Sequence, residues 1–156
     1  MYGEGSSSCN THSPDGDACD PNWSLVEYGR LYNWYAVNDI RGLCPMGWHV
    51  PTDGEFTTMT DGLGGNDVAG NYMKMTYGWN NGGNGTNASG YSGLPGGYRA
   101  NNGDFTEAGL YGYWWSSSSI ASDAWGRYLY FTHESVFSYQ NEPQDGFLIR
   151  CIQDSE

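Results

Sequence analysis

Four cysteines carry the most reactive side chains in this chain, and their placement speaks for cross-linking rather than for metal or nucleophilic chemistry. Cys9 and Cys19 bracket NTHSPDGDAC, a polar, turn-rich stretch that suits a local loop clasp. Cys44 and Cys151 would then join the first third of the chain to its end. Closing a loop of about 100 residues removes roughly 4–5 kcal/mol of unfolded-state entropy. The alternative is a set of buried free thiols, but an even count in an aromatic, loop-rich chain favours disulfides and an oxidising compartment. None of the cysteines forms CxxC, and His12, His49 and His133 are not spaced as zinc ligands, so no metal site is expected. Cys44 and His49 are five residues apart, and no Ser-His-Asp or Cys-His arrangement stands out. The Asp15 and Asp17 carboxylates sit in a loop without aromatic enclosure, a poor setting for acid–base work. No catalytic residues are assigned.

The other chemistry on offer is ring contact, from 13 Tyr, 7 Trp and 5 Phe. AWGRYLYF alternates: Trp125, Arg127, Leu129 and Phe131 point one way, Tyr128 and Tyr130 the other. ESVFSY continues as a hairpin partner. Gly126, Tyr128, Tyr130, Phe137 and Tyr139 should therefore share the outer face, with His133 at the turn. Such a group presents rigid, amphipathic area at small entropic cost, the composition that antibody-type paratopes use. The alternative is that this face packs beneath a loop from the Gly-rich middle, with His133 an ordinary turn residue.

The elements that must position these groups are partly readable. EYGRLYNWYAVND, from Glu27 to Asp39, puts Leu31, Trp34, Tyr35 and Val37 along one helical stripe of about three turns. A second helix is predicted from Thr52, where T-D-G-E forms a capping box with Glu55. Phe56, Met59 and Leu63 give its buried face, and Gly64-Gly65 stops it. Residues 64–109 hold the densest glycine and read as ordered irregular structure anchored by Trp79, Tyr91, Leu94 and Tyr98. From Tyr111 the pattern becomes β, and DGFLIRCI closes the chain with Phe147, Ile149 and Cys151 on one side. Trp114, Trp115, Trp125, Leu129, Phe147 and Ile149 are expected in the core. The class is α+β, two short helices beside small antiparallel sheets.

Composition sets the outer limits. At 156 residues the chain fits one domain, 1–156, with a cysteine-loop lead-in over 1–26 and a core over 27–152. Gly at 24 residues works against long helices. Aromatics at 16% work against disorder. Eighteen acidic against six basic residues give a formal charge of −12, which repels nucleic acid and anionic lipid. No apolar run approaches a membrane helix or a signal peptide, and Met1-YGEGSSS reads as a mature start or the edge of a larger chain. The sequons at Asn22, Asn84 and Asn87 read as turns unless the source glycosylates.

The string YGRLYNWYAVNDIRGLCPMGWHVPTDGEF, followed in order by LPGGYR, GYWWSSS, AWGRYLYF and GFLIRC, resembles the Fibrobacter succinogenes major paralogous domain across about residues 27–152. That resemblance implies a C-type-lectin-like fold, akin to the formylglycine-generating-enzyme scaffold. It also implies a bacterial surface or phage setting and kinship with variable proteins of diversity-generating retroelements. The segment corresponding to their variable stretch would run from Trp125 to Gln144. Formylglycine-generating enzymes use a pair of nearby C-terminal cysteines, whereas here only Cys151 lies in that region. Calcium-dependent lectins of similar fold carry Glu-Pro-Asn, which Glu142-Pro143-Gln144 echoes only in part. Calcium, if present, would draw on Asn66-Asp67 or Asp15-Asp17. The expected function is extracellular, non-catalytic recognition of a protein or glycan, by a secreted or surface-borne adhesion or phage receptor-binding domain that is free to oligomerise. The alternative is an assembly domain of a fibre, adhesin or virion.

Overall fold

The computed structural model describes Gly16 and residues 18–155. The Cys9–Cys19 clasp and the Asp15-Asp17 pair therefore lie outside the described residues. Helix α1 (Pro21–Glu27) starts where Asp20 accepts hydrogen bonds from the Asn22 and Trp23 amides. The single helix expected over 27–39 is not formed. The chain leaves α1 at Tyr28, and Gly29 adopts φ +86°, a region closed to most side chains. Tyr32 then exchanges backbone hydrogen bonds with Phe147, at 2.8 and 3.0 Å. Asn33 caps the one-turn helix α2 (Trp34–Val37), so Trp34 and Val37 are buried while Tyr35 stays exposed. Long-range pairing with Phe147 outcompetes local periodicity here.

After strand β1 (Trp48–His49), helix α3 (Asp53–Gly62) opens with both halves of its capping box. Thr52 Oγ1 accepts from the Glu55 amide, and Glu55 Oε2 accepts from the Thr52 amide at 2.8 Å. Phe56 is buried, with Met59 and Leu63 partly so. The Gly-rich middle holds more regular structure than expected. Helix α4 (Asn66–Met73) follows at once, and the strands β2 (Gly96–Arg99) and β3 (Phe105–Ala108) come later. Gly70 hides α4 from a reading based on propensity, yet the site demands it. A Cβ there would fall 2.5 Å from the Glu134 carbonyl oxygen in the turn over residues 131–135.

Strands β4 (Tyr111–Ile120), β5 (Asp123–Tyr130) and β6 (Val136–Asn141) form an antiparallel meander. The sheet runs β3-β2-β4-β5-β6 and is mixed rather than wholly antiparallel, because β2 meets β4 in parallel at Gly97 and Gly112. A second, two-stranded sheet joins β1 to β7 (Ile152–Gln153). One face of the meander carries Trp114, Leu129 and Val136 against α3 and α4 through Phe56, Ala69 and Met73. On the other face, Trp115 and Ala124 pack against Trp34, Val37 and Phe147. Trp125 and Ile149, also expected in the core, are only half-buried. The Cys44–Cys151 disulfide is formed, with its Cα atoms 5.8 Å apart and 107 residues between them. It is a bond of non-reducing compartments. Among the described residues, no helix is long and apolar enough to cross a membrane.

Candidate functional site: a ring-covered sheet face

Alternation along the meander decides which rings meet. Tyr128 lies opposite Tyr113 on β4 and Phe137 on β6. Its ring stacks on Phe137 at 4.8 Å and 11° and contacts Tyr139 at 5.7 Å. One residue pair further on, Tyr130 stacks on Tyr111 at 4.3 Å, and the exposed His133 lies over Tyr130 at 5.3 Å. Tyr113 reaches Tyr128 at 5.6 Å and Tyr98 of β2 at 5.0 Å. The result is a continuous row of rings across β2, β4, β5 and β6. Offset and edge contacts of this kind add about 0.5–1.5 kcal/mol each beyond area burial. Phe147 packs on Tyr98 and Tyr113 at 5.9 and 5.1 Å, so the β2–β4 part of the row is backed by the core, while mutual stacking holds the rings of β5 and β6.

Five of the six residues expected on this face reach its surface: Tyr128, Tyr130 and Phe137 are half-buried, His133 is exposed, and Tyr139 is 59% exposed. Gly126 differs. It is buried, and a Cβ there would meet the Asn141 amide at 2.9 Å and the Phe147 ring at 3.2 Å. Its role is to let Phe147 lie flat across the strand. Sequence reasoning missed Tyr98, Tyr111 and Tyr113. The last two alternate in YGY as Tyr128 and Tyr130 do in YLY, a signal that was available; Tyr98 joins only through the parallel pairing of β2.

The opposite face pins the hairpin that carries these rings. Arg127, 3% exposed, donates to Asp53 Oδ1 at 2.7 Å, the Asp53 carbonyl at 3.0 Å and Thr57 Oγ1 at 2.9 Å. Lys74, at the end of α4, donates to the Tyr130 and His133 carbonyls at 3.3 and 2.8 Å, and burial lowers its pKa. The Asn71 amide donates to the Glu134 carbonyl at 3.2 Å. The turn bearing His133 is thus fixed from beneath by Lys74 and Asn71 at α4, while Arg127 ties β5 to α3.

The electrostatics of the ring face are one-sided. Glu107 Oε2 accepts from the Tyr113 hydroxyl at 2.7 Å. Burial, then bonding to Glu107, pushes the Tyr113 phenol far up. Burial pushes Tyr111 up to about 12, with Tyr130 and Glu107 adding to the effect. Tyr98 rises through burial and the charges of Glu107 and Asp145. Asp145 itself is raised by burial and by neighbouring Glu142, against a hydrogen bond from the Asn101 backbone. Phenols held this way are neutral donors and ring surfaces at any physiological pH.

Other sequence candidates take structural places. His49 Nδ1 lies 2.6 Å from Asp154 Oδ1 and Nε2 lies 2.9 Å from Glu55 Oε1. Two carboxylates facing both ring nitrogens require both to carry protons, so hydrogen bonds to Asp154 and Glu55 raise the His49 pKa. Asn66 and Asp67 form the first turn of α4, and among the described residues no cluster of His, Cys, Asp or Glu is arranged to hold a metal ion. Asn84 accepts from the Trp79 amide and Asn87 bonds Ser92, both as turn residues, whereas Asn22 lies in α1. A cavity of about 230 Å³ lies behind the disulfide, between Phe56, Met59, Tyr91 and Ile152. Its charged groups are already engaged: Arg150 with the Tyr91 and Ser92 carbonyls, Glu55 with Thr52 and His49.

Residues 7–153 match the family model of the Fibrobacter succinogenes major domain. The chain belongs to that family. The match takes in α1, the disulfide and the whole ring-bearing meander of this Fibrobacter succinogenes major domain. No curated protein and no solved structure matches it.

Proposed function

We propose that this domain is an extracellular, non-catalytic binding module of C-type-lectin-like kind. It is displayed on a bacterial surface or a phage virion and recognises a protein or glycan through the ring face of β4, β5 and β6. The single observation that carries this reading is a row of part-exposed, mutually stacked rings, open along β5 and β6, on a sheet whose other face is locked to α3 and α4. Rings frozen by their neighbours lose little entropy on binding, and their exposed faces suit both apolar side chains and sugar rings. Members of the family that serve as diversified binders would use the same hairpin, so family membership supports the placement.

Support for a non-catalytic role comes from the reactive groups. Cys44 and Cys151 are consumed in their disulfide, leaving neither sulfur as a thiolate. Both nitrogens of His49 are tied to carboxylates. A binding screen against arrayed glycans and surface proteins tests the proposal, run on the native domain beside a Tyr128→Ala/Tyr139→Ala variant. The variant should lose binding at least tenfold while keeping its circular dichroism spectrum. Equal binding by a folded variant would remove the ring face from consideration.

A further inference from the structure

We infer that the partner of the ring face is a basic protein segment, whose Lys or Arg side chains lie over the tyrosine rings and pair with Glu107, Glu142 and Asp145. This rests on the binding reading given above and narrows it to one class of ligand. The argument is charge complementarity together with the width of the surface.

Tyr98, Tyr113, Tyr128 and Tyr139 follow one another across four neighbouring strands, with ring centroids 5.0, 5.6 and 5.7 Å apart. At about 4.8 Å between strands, such a row extends roughly 15 Å, with Tyr98 and Tyr113 half-buried against Phe147 and Tyr128 and Tyr139 more open, a length that suits an extended chain better than a small amine. Aromatic faces attract cations, Arg more often than Lys, through the ring quadrupole. The β2 end of the row is rimmed by acids. Glu107 bonds Tyr113, Glu142 Oε2 accepts from the Asn101 amide at 2.5 Å, and Asp145 lies half-buried close to Glu142.

Five of the domain's six cations have partners elsewhere, and the sixth, Arg30, is exposed between α1 and α2. Lys74 and Arg127 are buried beneath the sheet, and Arg150 is bonded to the Tyr91 and Ser92 carbonyls. Arg41 pairs with Asp39, and the Arg99 guanidinium lies over Phe105. The neighbouring charges acting on Tyr98, Tyr111, Tyr113 and Asp145 are all carboxylate or phenolic. With a formal charge of −12, a second copy of the domain or an anionic partner is repelled as it approaches. A basic segment supplies what this face lacks.

Panning a random 12-residue peptide library on the immobilised domain tests the inference, followed by titration calorimetry of an enriched peptide. Enriched peptides should be rich in Lys and Arg, and affinity should fall at least tenfold between 50 and 300 mM salt. Tyr128→Ala/Tyr139→Ala should abolish binding. Glu107→Gln/Asp145→Asn, which keeps the Tyr113 hydrogen bond acceptor, should weaken it at least tenfold. Asp61→Asn/Asp67→Asn, on the helical side, should change it less than threefold. Neutral or acidic peptides, glycan binding in their place, no enrichment, or equal losses from both acid pairs would each overturn the basic partner. In those cases the ring face survives as a site wherever binding still depends on Tyr128 and Tyr139. Binding that ignores both tyrosines sinks the two readings together.

Discussion

The two faces of the β4-β5-β6 meander are built from alternate residues of the same strands, yet they are stabilised in different ways. On one, Trp114, Leu129 and Val136 are buried under α3 and α4, and the buried charge of Arg127 is paired with Asp53 and bonded to Thr57. On the other, Trp115 and Ala124 are buried under Trp34, Val37 and Phe147 at one end, while Tyr111, Tyr113, Tyr128, Tyr130 and Phe137 largely cover one another and leave Tyr139 in solvent. A covered face gains from removing area from water and is intolerant of lost volume. A face of stacked rings holds its shape by lateral contact, so an outer ring can change at little cost to the fold. This difference suits a domain that keeps one side constant and offers the other to partners.

The largest effect is expected from Cys44→Ser/Cys151→Ser, because Cys44 packs where the ring face is closed off by Trp115 and Phe147. Loss of about 4–5 kcal/mol is expected in denaturant unfolding, with both faces melting together. Leu129→Ala, on the covered face, should cost about 2–5 kcal/mol in the same assay. If it cost no more than a change on the ring face, the distinction between the faces would fail. His49 lies outside both faces and clamps the chain end to α3. Its pKa is raised on folding, so its contribution is complete below the unfolded value near 6.5 and fades as pH climbs through the higher folded value. The unfolding free energy should therefore fall above pH 6.5 by an amount typical of a solvent-screened pair, about 0–1 kcal/mol, and His49→Gln should flatten that slope in denaturant unfolding. Tyr139→Ala should alter stability least, within about 0.5 kcal/mol, while altering binding most.

Several parts of this arrangement were legible in the residue string because they depend on near neighbours. T-D-G-E announced the start of α3, since a capping box closes within four residues. Alternation in GRYLYF separated Arg127 and Leu129 from Tyr128 and Tyr130, because side chains of a strand point to opposite faces in turn. Helix α4 was hidden, since Gly70 and the asparagines around it argue locally for a loop. Only the close approach of the β5–β6 turn explains why glycine stands there. The segment after Glu27 misled in the opposite sense. Its apolar spacing is helical, yet Tyr32 gains more from pairing with Phe147 than from a further helical turn.

The α+β character, the α3 cap and the meander's alternation follow from the order of amino acids through local geometry, whereas four cysteines allow three pairings and only the fold brings Cys44 and Cys151 within 5.8 Å. Tertiary structure alone decided that Tyr98 and the β4 tyrosines join the hairpin rings, that Gly126 lies beneath Phe147 instead of at the surface, and that the acids gather at one end of the row. Those facts depend on which strands become neighbours. That choice is made by burial of the whole sheet against its helices, and no short window of residues encodes it.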